Sequence, residues 1–413
     1  MSKFHRRLIE PIVEGLLSHM PVVGIEGPRQ CGKTTLLKSM IGGRGKVGWR
    51  YVTLDNPATL AAACDDPVGF VSGDSPLAID EIQRAPELLL AIKAKVDSDR
   101  RPGRILITGS ADLLRMPRIP DSLAGRMALA QLLPLAESEV RGKSPPQMLP
   151  NLFSGRPPTQ PDEPPDDMTG RALTGGFPAA RVRDEGAARR AWFRSYIRAL
   201  IEKDVPEVAT IQRSTELLRL LQALALSAGA LLNVDNRSGD LGIARVTVER
   251  YVTVLENLWV VRRVPSWHRS GLKRLIKSAK IHFVDSGLLA AIAGYGRAKC
   301  ETDRTILGAL VESWVFAELS KLATWNEDPI AIYHYRDRDQ VEVDFVLENE
   351  GGDVVGVEVK AALSVRSEDF SGLSTLRRAA GSAFRAGIVL YNGPNVYSFG
   401  NGLWAVPFSV MWS

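Results

Sequence analysis

The sequence is poor in cysteine, in histidine and in unbroken apolar stretches. Its three cysteines, Cys31, Cys64 and Cys300, are odd in number and far apart, so they make neither a disulfide framework nor a zinc-ligand spacing and fit a reducing compartment. The five histidines, His5, His19, His268, His282 and His334, are scattered, which argues against a histidine metal centre. Apolar runs such as 217–232 are interrupted before they reach the roughly 20 residues that span a bilayer, so neither a transmembrane helix nor a membrane partner is expected. The apolar part of the N-terminal segment is broken by Glu10, Glu14 and His19, unlike a secretory signal, and the expected location is the cytoplasm. No internal repeat of fixed period is visible.

The composition, 45% hydrophobic and 24% charged over 413 residues, is that of an ordinary globular chain. The length exceeds what one core usually supports, so two or three domains are expected. The net charge of +5 is modest, and its placement matters more than its size.

Short apolar segments at 21–26, 50–55, 76–80, 104–109 and 131–135 alternate with helical patterns, which predicts a parallel sheet covered by helices. Between 143 and 167 prolines accumulate at 145, 146, 150, 157, 158, 161, 164 and 165, and this stretch reads as a linker or surface insertion. From 187 to about 294 the apolar spacing is mostly helical, and short strands return after 330. The overall class is therefore α/β, with a helical middle part.

The segment GPRQCGKTT at 27–35 follows a predicted strand and opens a predicted helix, the setting in which a P-loop holds phosphates. Gly27, Pro28, Arg29, Gln30, Cys31, Gly32, Lys33, Thr34 and Thr35 are thus the candidate nucleotide-binding residues. Backbone amides and the helix start suit phosphate oxygens, Lys33 adds a charge at the β/γ-phosphates, and the Thr34 hydroxyl can coordinate Mg²⁺. Asp80 and Glu81 follow an apolar strand, as a Mg²⁺-holding acid and a water-polarising carboxylate should. Ser110 sits where a neighbouring strand can aim a small polar group at the γ-phosphate, with Thr108 the alternative. Arg126 is a candidate for stabilising transition-state charge, within the chain or across to a neighbouring subunit of a homo-oligomer.

Together, GPRQCGKTT (27–35), YVTLDNP (51–57), IDEIQRAPEL (79–88), LITGSAD (106–112) and SLAGR (122–126) resemble a widespread family of prokaryotic AAA-type ATPases that carry a C-terminal domain of unknown function. The likeness extends over nearly the whole chain, apart from the proline-rich stretch. It implies an AAA+-like sheet with ATP and Mg²⁺ as ligands and ATP hydrolysis as the activity, while leaving the biological role open.

Three further features carry function. Segments 224–230 and 238–258 read as helix, turn, helix, the second with an apolar stripe of Val246, Val248, Tyr251, Val252, Leu255 and Leu258. Residues 258–264 then look like a wing strand, and this winged helix-turn-helix is similar to the matching part of the family. From 257 to 284 there is no acidic residue, while Arg262, Arg263, Arg269, Lys273, Arg274, Lys277 and Lys280 are basic, a run suited to the phosphates of DNA or to a solvated face in a protein-contact module. Trp192, Trp259, Trp267, Trp314 and Trp325 read as core residues, with Trp267, inside the basic run, the one candidate for stacking on a base.

Finally, Glu312 on a predicted helix, Asp344 on one strand, and Glu358 and Lys360 on the next follow the order of the PD-(D/E)xK nuclease core. Asp344 and Glu358 are candidate ligands of a second Mg²⁺ or Mn²⁺, with Glu312 assisting and Lys360 positioning the nucleophile. Asp285 matches a recurrent element of the family without an evident chemical role. The expected organisation is an AAA+-like P-loop domain over 1–142, a linker over 143–170, a helical domain with a winged helix over 171–294, and a restriction-endonuclease-like α/β domain over 295–413. ATP-driven action on DNA, with or without cleavage, is the leading expectation. A nucleotide-dependent regulator of protein complexes, its nuclease-like domain serving only to bind, is the alternative.

Overall fold

The computed structural model describes residues 5–43, 48–110, 123–162, 167–184, 186–209, 213–326 and 328–413. Ala111, Asp112 and Ser122 of the motifs above, Pro164 and Pro165, and the Lys273 side chain lie outside what is described.

Strands β1 (Val22–Glu26), β2 (Arg50–Thr53), β3 (Leu77–Asp80), β4 (Ile105–Gly109) and β5 (Met127–Gln131) form a five-stranded sheet in the order β2-β3-β4-β1-β5. Every pairing in it is parallel. β1, β3 and β4 are buried along their whole length, as expected of strands covered by helices on both faces. Alternate side chains divide between two cores. Val22, Ile79, Ile105 and Ile107 pack on the side of helix Leu88–Ser98, whereas Val23, Ile25, Ala78 and Leu106 pack under helices Glu10–His19 and Lys33–Ile41.

The fifth strand lies earlier than the apolar pattern suggests. Met127–Gln131 pairs with β1, while 132–135 is irregular. The half-exposed edge strand, with alanine at two of its five positions, gives a weak signal, and Pro134 cannot donate to a ladder. The 132–135 segment instead supplies carbonyls and amides to other parts of the chain.

The proline-rich stretch is not a free linker over its described length. Helix Met148–Phe153 buries Met148, Leu149 and Leu152 in the large core. Gln160 then docks on the C-terminal sheet, its Nε2 donating to the Pro394 carbonyl at 2.8 Å and its Oε1 accepting from the Val396 amide at 2.7 Å.

In the middle part, helices Ser214–Leu226, Val234–Leu241 and Arg245–Asn257 precede an antiparallel pair, β6 (Val261–Val264) and β7 (Lys280–Phe283). Val248, Tyr251, Val252, Leu255 and Leu258 are buried as expected, but Val246 is 79% exposed because it falls on the opposite side of its helix from Val248.

Strands β8 (Ile330–Arg336), β9 (Glu342–Asn349), β10 (Val354–Lys360), β11 (Phe384–Tyr391), β12 (Tyr397–Gly400) and β13 (Leu403–Pro407) form the second large sheet, ordered β12-β13-β11-β10-β9-β8. β8, β9 and β10 form an antiparallel meander, and β11 adds parallel to β10 after helix Ser371–Ala380. The long helix Arg304–Ala323 lies against this sheet and is apolar nearly all round, since its other side faces the middle part. One continuous core runs from Met148 to Trp412, so packing does not break near 294. Among the described residues no helix is long and apolar enough to cross a membrane.

Candidate nucleotide site

The loop between β1 and helix Lys33–Ile41 needs unusual backbone. Gly27 at φ 150° passes so near Leu132 that an added Cβ would lie 2.0 Å from the Leu132 carbonyl oxygen, and Gly32 at φ 109° caps the helix. Lys33, buried at the helix start, donates from Nζ to the carbonyls of Gly27 and Pro28 at 3.0 and 2.9 Å. Its ammonium therefore stands inside the loop, where a phosphate oxygen can compete for it. Cys31 is a buried packing residue, its Sγ 3.2 Å from the Leu132 carbonyl oxygen.

Asp80, at the end of β3, accepts from the Thr34 hydroxyl at 2.8 Å and from the Thr108 hydroxyl at 2.5 Å. The Tyr51 hydroxyl, pushed up to about 12 by burial and by the Asp80 carboxylate, stays protonated and donates to Asp80 at 3.3 Å. A hydroxyl and a carboxylate held together at the foot of the phosphate loop are the hard oxygen donors that Mg²⁺ prefers, so these residues fit the ion.

Glu81 adopts φ 60°, a left-handed conformation that a residue with a side chain rarely takes. Its amide donates to Thr108 Oγ1 at 3.1 Å. Its carboxylate accepts from Ser110 Oγ at 3.0 Å and from Gln83 Nε2, and Gln83 also donates to Ser110 at 2.8 Å. The strained backbone thus turns Glu81 toward the cavity, and two polar side chains hold it there.

The cavity has a volume of about 890 Å³. Gln30, Gly32, Lys33, Thr34, Thr35 and Glu81 line one side, while Leu135, Val140, Pro178, Ala179 and Val182 supply an apolar wall with Arg181 and Arg183 beside it. An apolar wall facing a phosphate loop suits a base and a triphosphate respectively.

Sequence reasoning missed several contributors. Gln83 sits inside the 79–88 motif, but only the positive φ at Glu81 returns its side chain to the site. Arg7, which also lines the cavity, braces the loop, donating to the carbonyls of Cys31 at 2.8 Å and Leu133 at 2.6 Å and to Glu139 at 3.0 Å. Arg29 pairs with Asp204 in a π-helical turn, Leu200–Asp204, and Tyr196 reaches the Arg29 carbonyl at 3.4 Å. Arg181 pairs with Glu137 at 2.8 Å, and Arg171 pairs with the same carboxylate.

Arg126 is placed elsewhere. Its carbonyl accepts from Val22 at the start of β1, and its guanidinium pairs with Asp97 at 2.7 Å, so it lies at the end of the sheet opposite the phosphate loop. With roughly 15 Å of strand between them, it does not reach its own chain's phosphates.

The basic run does not form one open stripe. Arg263 pairs with Glu249 and Glu256, Arg274 with Glu348 at 2.7 Å, and Lys280 is buried among acids. Lys277 donates to the Arg336 carbonyl at 3.0 Å, and Arg262 stacks on Trp259 at 3.8 Å. Arg269 is exposed. The matching acids come from outside 257–284, which is why that stretch reads as unbalanced. Trp267 is buried, with its indole N–H on Glu348 at 2.9 Å, so it is core and not a platform for a base.

The C-terminal acids converge, but on a lysine. Lys280 Nζ lies 3.2 Å from Glu312, 3.7 Å from Asp344 and 3.9 Å from Glu342. Burial works against the Lys280 ammonium, yet these carboxylates hold its pKa above the ordinary lysine value. Burial, then Asp344, pushes the Glu312 and Glu358 carboxyls upward. Lys360 points to Asp369 at 3.6 Å. No group of three His, Cys, Asp or Glu residues gathers as metal ligands among the described residues.

Asp285 serves the packing of the helical part. Its carboxylate caps helix Ser286–Ala293 at the Leu288 amide, 2.8 Å, and clamps the Gly176 amide at 2.6 Å.

Strand order, phosphate loop and paired acids define the N-terminal part as a P-loop ATPase fold of the AAA type. In agreement, residues 19–141 match the family described as "AAA domain". Residues 166–299 match "Domain of unknown function (DUF8612)" and residues 307–411 match "Domain of unknown function (DUF4143)". The chain thus joins an AAA domain at its N-terminal end to a DUF4143 domain at its C-terminal end. It is similar, at 29% identity over 345 residues, to "Uncharacterized protein Rv2008c" of Mycobacterium tuberculosis and "Uncharacterized protein Mb2031c" of Mycobacterium bovis, covering 83% of this chain and 71% of each relative. Among solved structures, AMPPCP-bound DnaA from Aquifex aeolicus overlaps 60% of this chain and 86% of its own, at 14% identity and a TM-score of 0.29. A single-residue variant of RuvB from Thermotoga maritima overlaps 62% and 89%, at 16% identity and a TM-score of 0.29.

Proposed function

We propose that the protein is a Mg²⁺-dependent ATP hydrolase whose nucleotide state is passed to its middle and C-terminal parts, which act as binding modules for a macromolecular partner. The observation that carries this reading is the Asp80 carboxylate, bonded to the hydroxyls of Thr34 and Thr108, with Glu81 held beside it against the cavity. Thr34 and Asp80 would hold Mg²⁺, which would supply shielding of the phosphate charge. Lys33 and the loop amides bind the phosphates. Glu81 orients and polarises the attacking water, and Ser110 and Gln83 keep its carboxylate in place. Arg183 lies on the cavity wall, its guanidinium bonded to the Ala179 carbonyl and set against Trp192, within the part of the chain beyond the sheet. Because Arg29 pairs with Asp204 and residues 178–183 line the cavity, the middle part is placed to respond to a change at the phosphates.

The choice of a binding role follows from the same geometry. Helix Arg304–Ala323, the meander β8-β9-β10, helix Ser371–Ala380 and β11 succeed one another in the order of the PD-(D/E)xK core, which supports a nuclease-like fold. Lys280 among its acids supports a non-cleaving one. A second reading, engagement of DNA, is favoured by the three helices and the β6-β7 hairpin, on which Arg245 and Arg250 are exposed near the start of the third helix.

ATP turnover by wild type, Lys33→Ala and Glu81→Gln, with and without duplex DNA, tests both. Mg²⁺-dependent turnover lost in both variants supports the hydrolase. Stimulation by DNA that weakens as salt rises supports the second reading, and indifference to DNA at every salt concentration removes it.

A further inference from the structure

We infer that Lys280 is the built-in cation of the C-terminal carboxylate cluster, taking the place a divalent metal would need, and that the cluster is an ion lock between the middle and C-terminal parts.

The lysine is not a loose arm. It stands on β7, paired with Val264 of β6 and bridged on its other side to Leu231, and its residue is only 5% exposed. Backbone bonds on both flanks, Leu232 N–H to the Ala279 carbonyl at 2.8 Å and Gly229 N–H to the Ile281 carbonyl at 2.8 Å, fix the strand. Its ammonium is therefore delivered to Glu312, Asp344 and Glu342 by the fold itself.

The acids are committed as well. Asp344 Oδ2 accepts from the Val359 amide at 2.9 Å, and Glu358 Oε2 accepts from the Asp344 amide at 3.2 Å, so one oxygen of each acid is turned to the backbone. The loop at Gly229 presses so closely on Glu312 that an added Cβ would lie 3.1 Å from its Oε2. His282, fully buried and flanked by Phe316 and Phe345, closes the remaining side at 3.5 Å from Glu312. Two cations sharing this pocket would repel each other across a few ångströms of low-dielectric interior. An ammonium bonded to Glu312 and close to Asp344 and Glu342 must be displaced before an ion can enter between them.

The inference is independent of the nucleotide site. Its test is a titration of the full-length protein with Mn²⁺, without nucleotide, followed by the electron paramagnetic resonance signal of free Mn²⁺. Wild type, Asp344→Asn, Lys280→Met, Lys280→Arg and the double variant Lys280→Met with Asp344→Asn are compared, each checked for cooperative thermal melting. The expected result is that Asp344→Asn and Lys280→Arg leave the wild-type isotherm unchanged. Lys280→Met gains one Mn²⁺ site at least ten-fold tighter than any wild-type binding, and the double variant loses it. Mn²⁺ binding by the wild type that Asp344→Asn abolishes would overturn the inference, and so would a folded Lys280→Met that gains no site. Should Lys280→Met not fold, the comparison of wild type with Asp344→Asn still decides.

Discussion

Arg29, inside the phosphate loop, is ion-paired with Asp204, whose carboxylate lies in the π-helical turn that ends helix Ala187–Ala199. The pair ties the part of the chain that meets phosphate to the helical part beyond the sheet. Asp204 is buried on its side, so removing it leaves a guanidinium with one partner fewer. Asp204→Ala is expected to lower stability by about 1–3 kcal/mol, the range for breaking a charged hydrogen bond. It is also expected to uncouple the two parts: ATP should slow amide hydrogen exchange in helix Ala187–Ala199 of the wild type and leave it unchanged in the variant. Equal protection in both proteins would show that the coupling runs elsewhere.

Glu81 depends on Ser110 and Gln83 for its position, not for its existence in the site. Single alanine replacements at 83 and 110 should therefore reduce kcat by roughly ten-fold, with KM for ATP little changed, because ground-state phosphate contacts are untouched. Glu81→Gln should reduce kcat by about 100-fold or more while nucleotide still binds. A rise in KM without a fall in kcat would place these residues in binding instead.

Asp285→Ala removes a helix cap and the clamp on Gly176 together. A loss of about 2 kcal/mol or more is expected from urea unfolding. Asp285→Asn, which keeps an acceptor oxygen, should recover part of it. A change below about 0.5 kcal/mol for the alanine variant would contradict the structural role.

The parts of the fold that are legible in the sequence are those written locally. The phosphate loop, Asp80, Glu81 and the strands β1, β3 and β4 carry their glycines, acids and buried runs in consecutive residues. The Glu312, Asp344, Glu358 and Lys360 order is equally visible, because helix and strand periodicity carries it. What is not legible joins distant segments. Arg29 and Asp204, Lys280 and Glu312, or Arg7 and Glu139 meet only when the core between them has packed, and no spacing encodes that. The run 257–284 looks open because the acids that neutralise it, Glu249, Glu256, Glu312 and Glu348, lie on other elements. Leu132 and Leu133 imitate a strand through hydrophobicity alone, although their backbone groups bond around the loop.

Two buried imidazoles set an acid limit on stability. Burial pushes His334 down to about 4 and His282 well below the ordinary 6.5, so both stay neutral in the folded chain where the unfolded chain would take up protons. Their contribution is intact above about 6.5 and is lost progressively as pH falls from there toward about 4. Comparing wild type with His334→Gln isolates this effect from the carboxylates that titrate nearby. In urea unfolding at about pH 7.5 and about pH 5, the variant should lose less stability on acidification than the wild type. An identical loss would assign the acid sensitivity to other groups.

ATP hydrolysis by the purified full-length protein, measured with Mg²⁺ and with excess chelator, beside Lys33→Ala and Glu81→Gln, decides whether the phosphate loop and its acids turn over nucleotide. The geometry at Lys33, Thr34, Asp80 and Glu81 calls for turnover that requires Mg²⁺, fails in both variants, and leaves ATP still bound by Glu81→Gln. Turnover that persists in Glu81→Gln, or that is indifferent to Mg²⁺, would contradict the assignment of water activation to Glu81 and of the metal to Thr34 and Asp80.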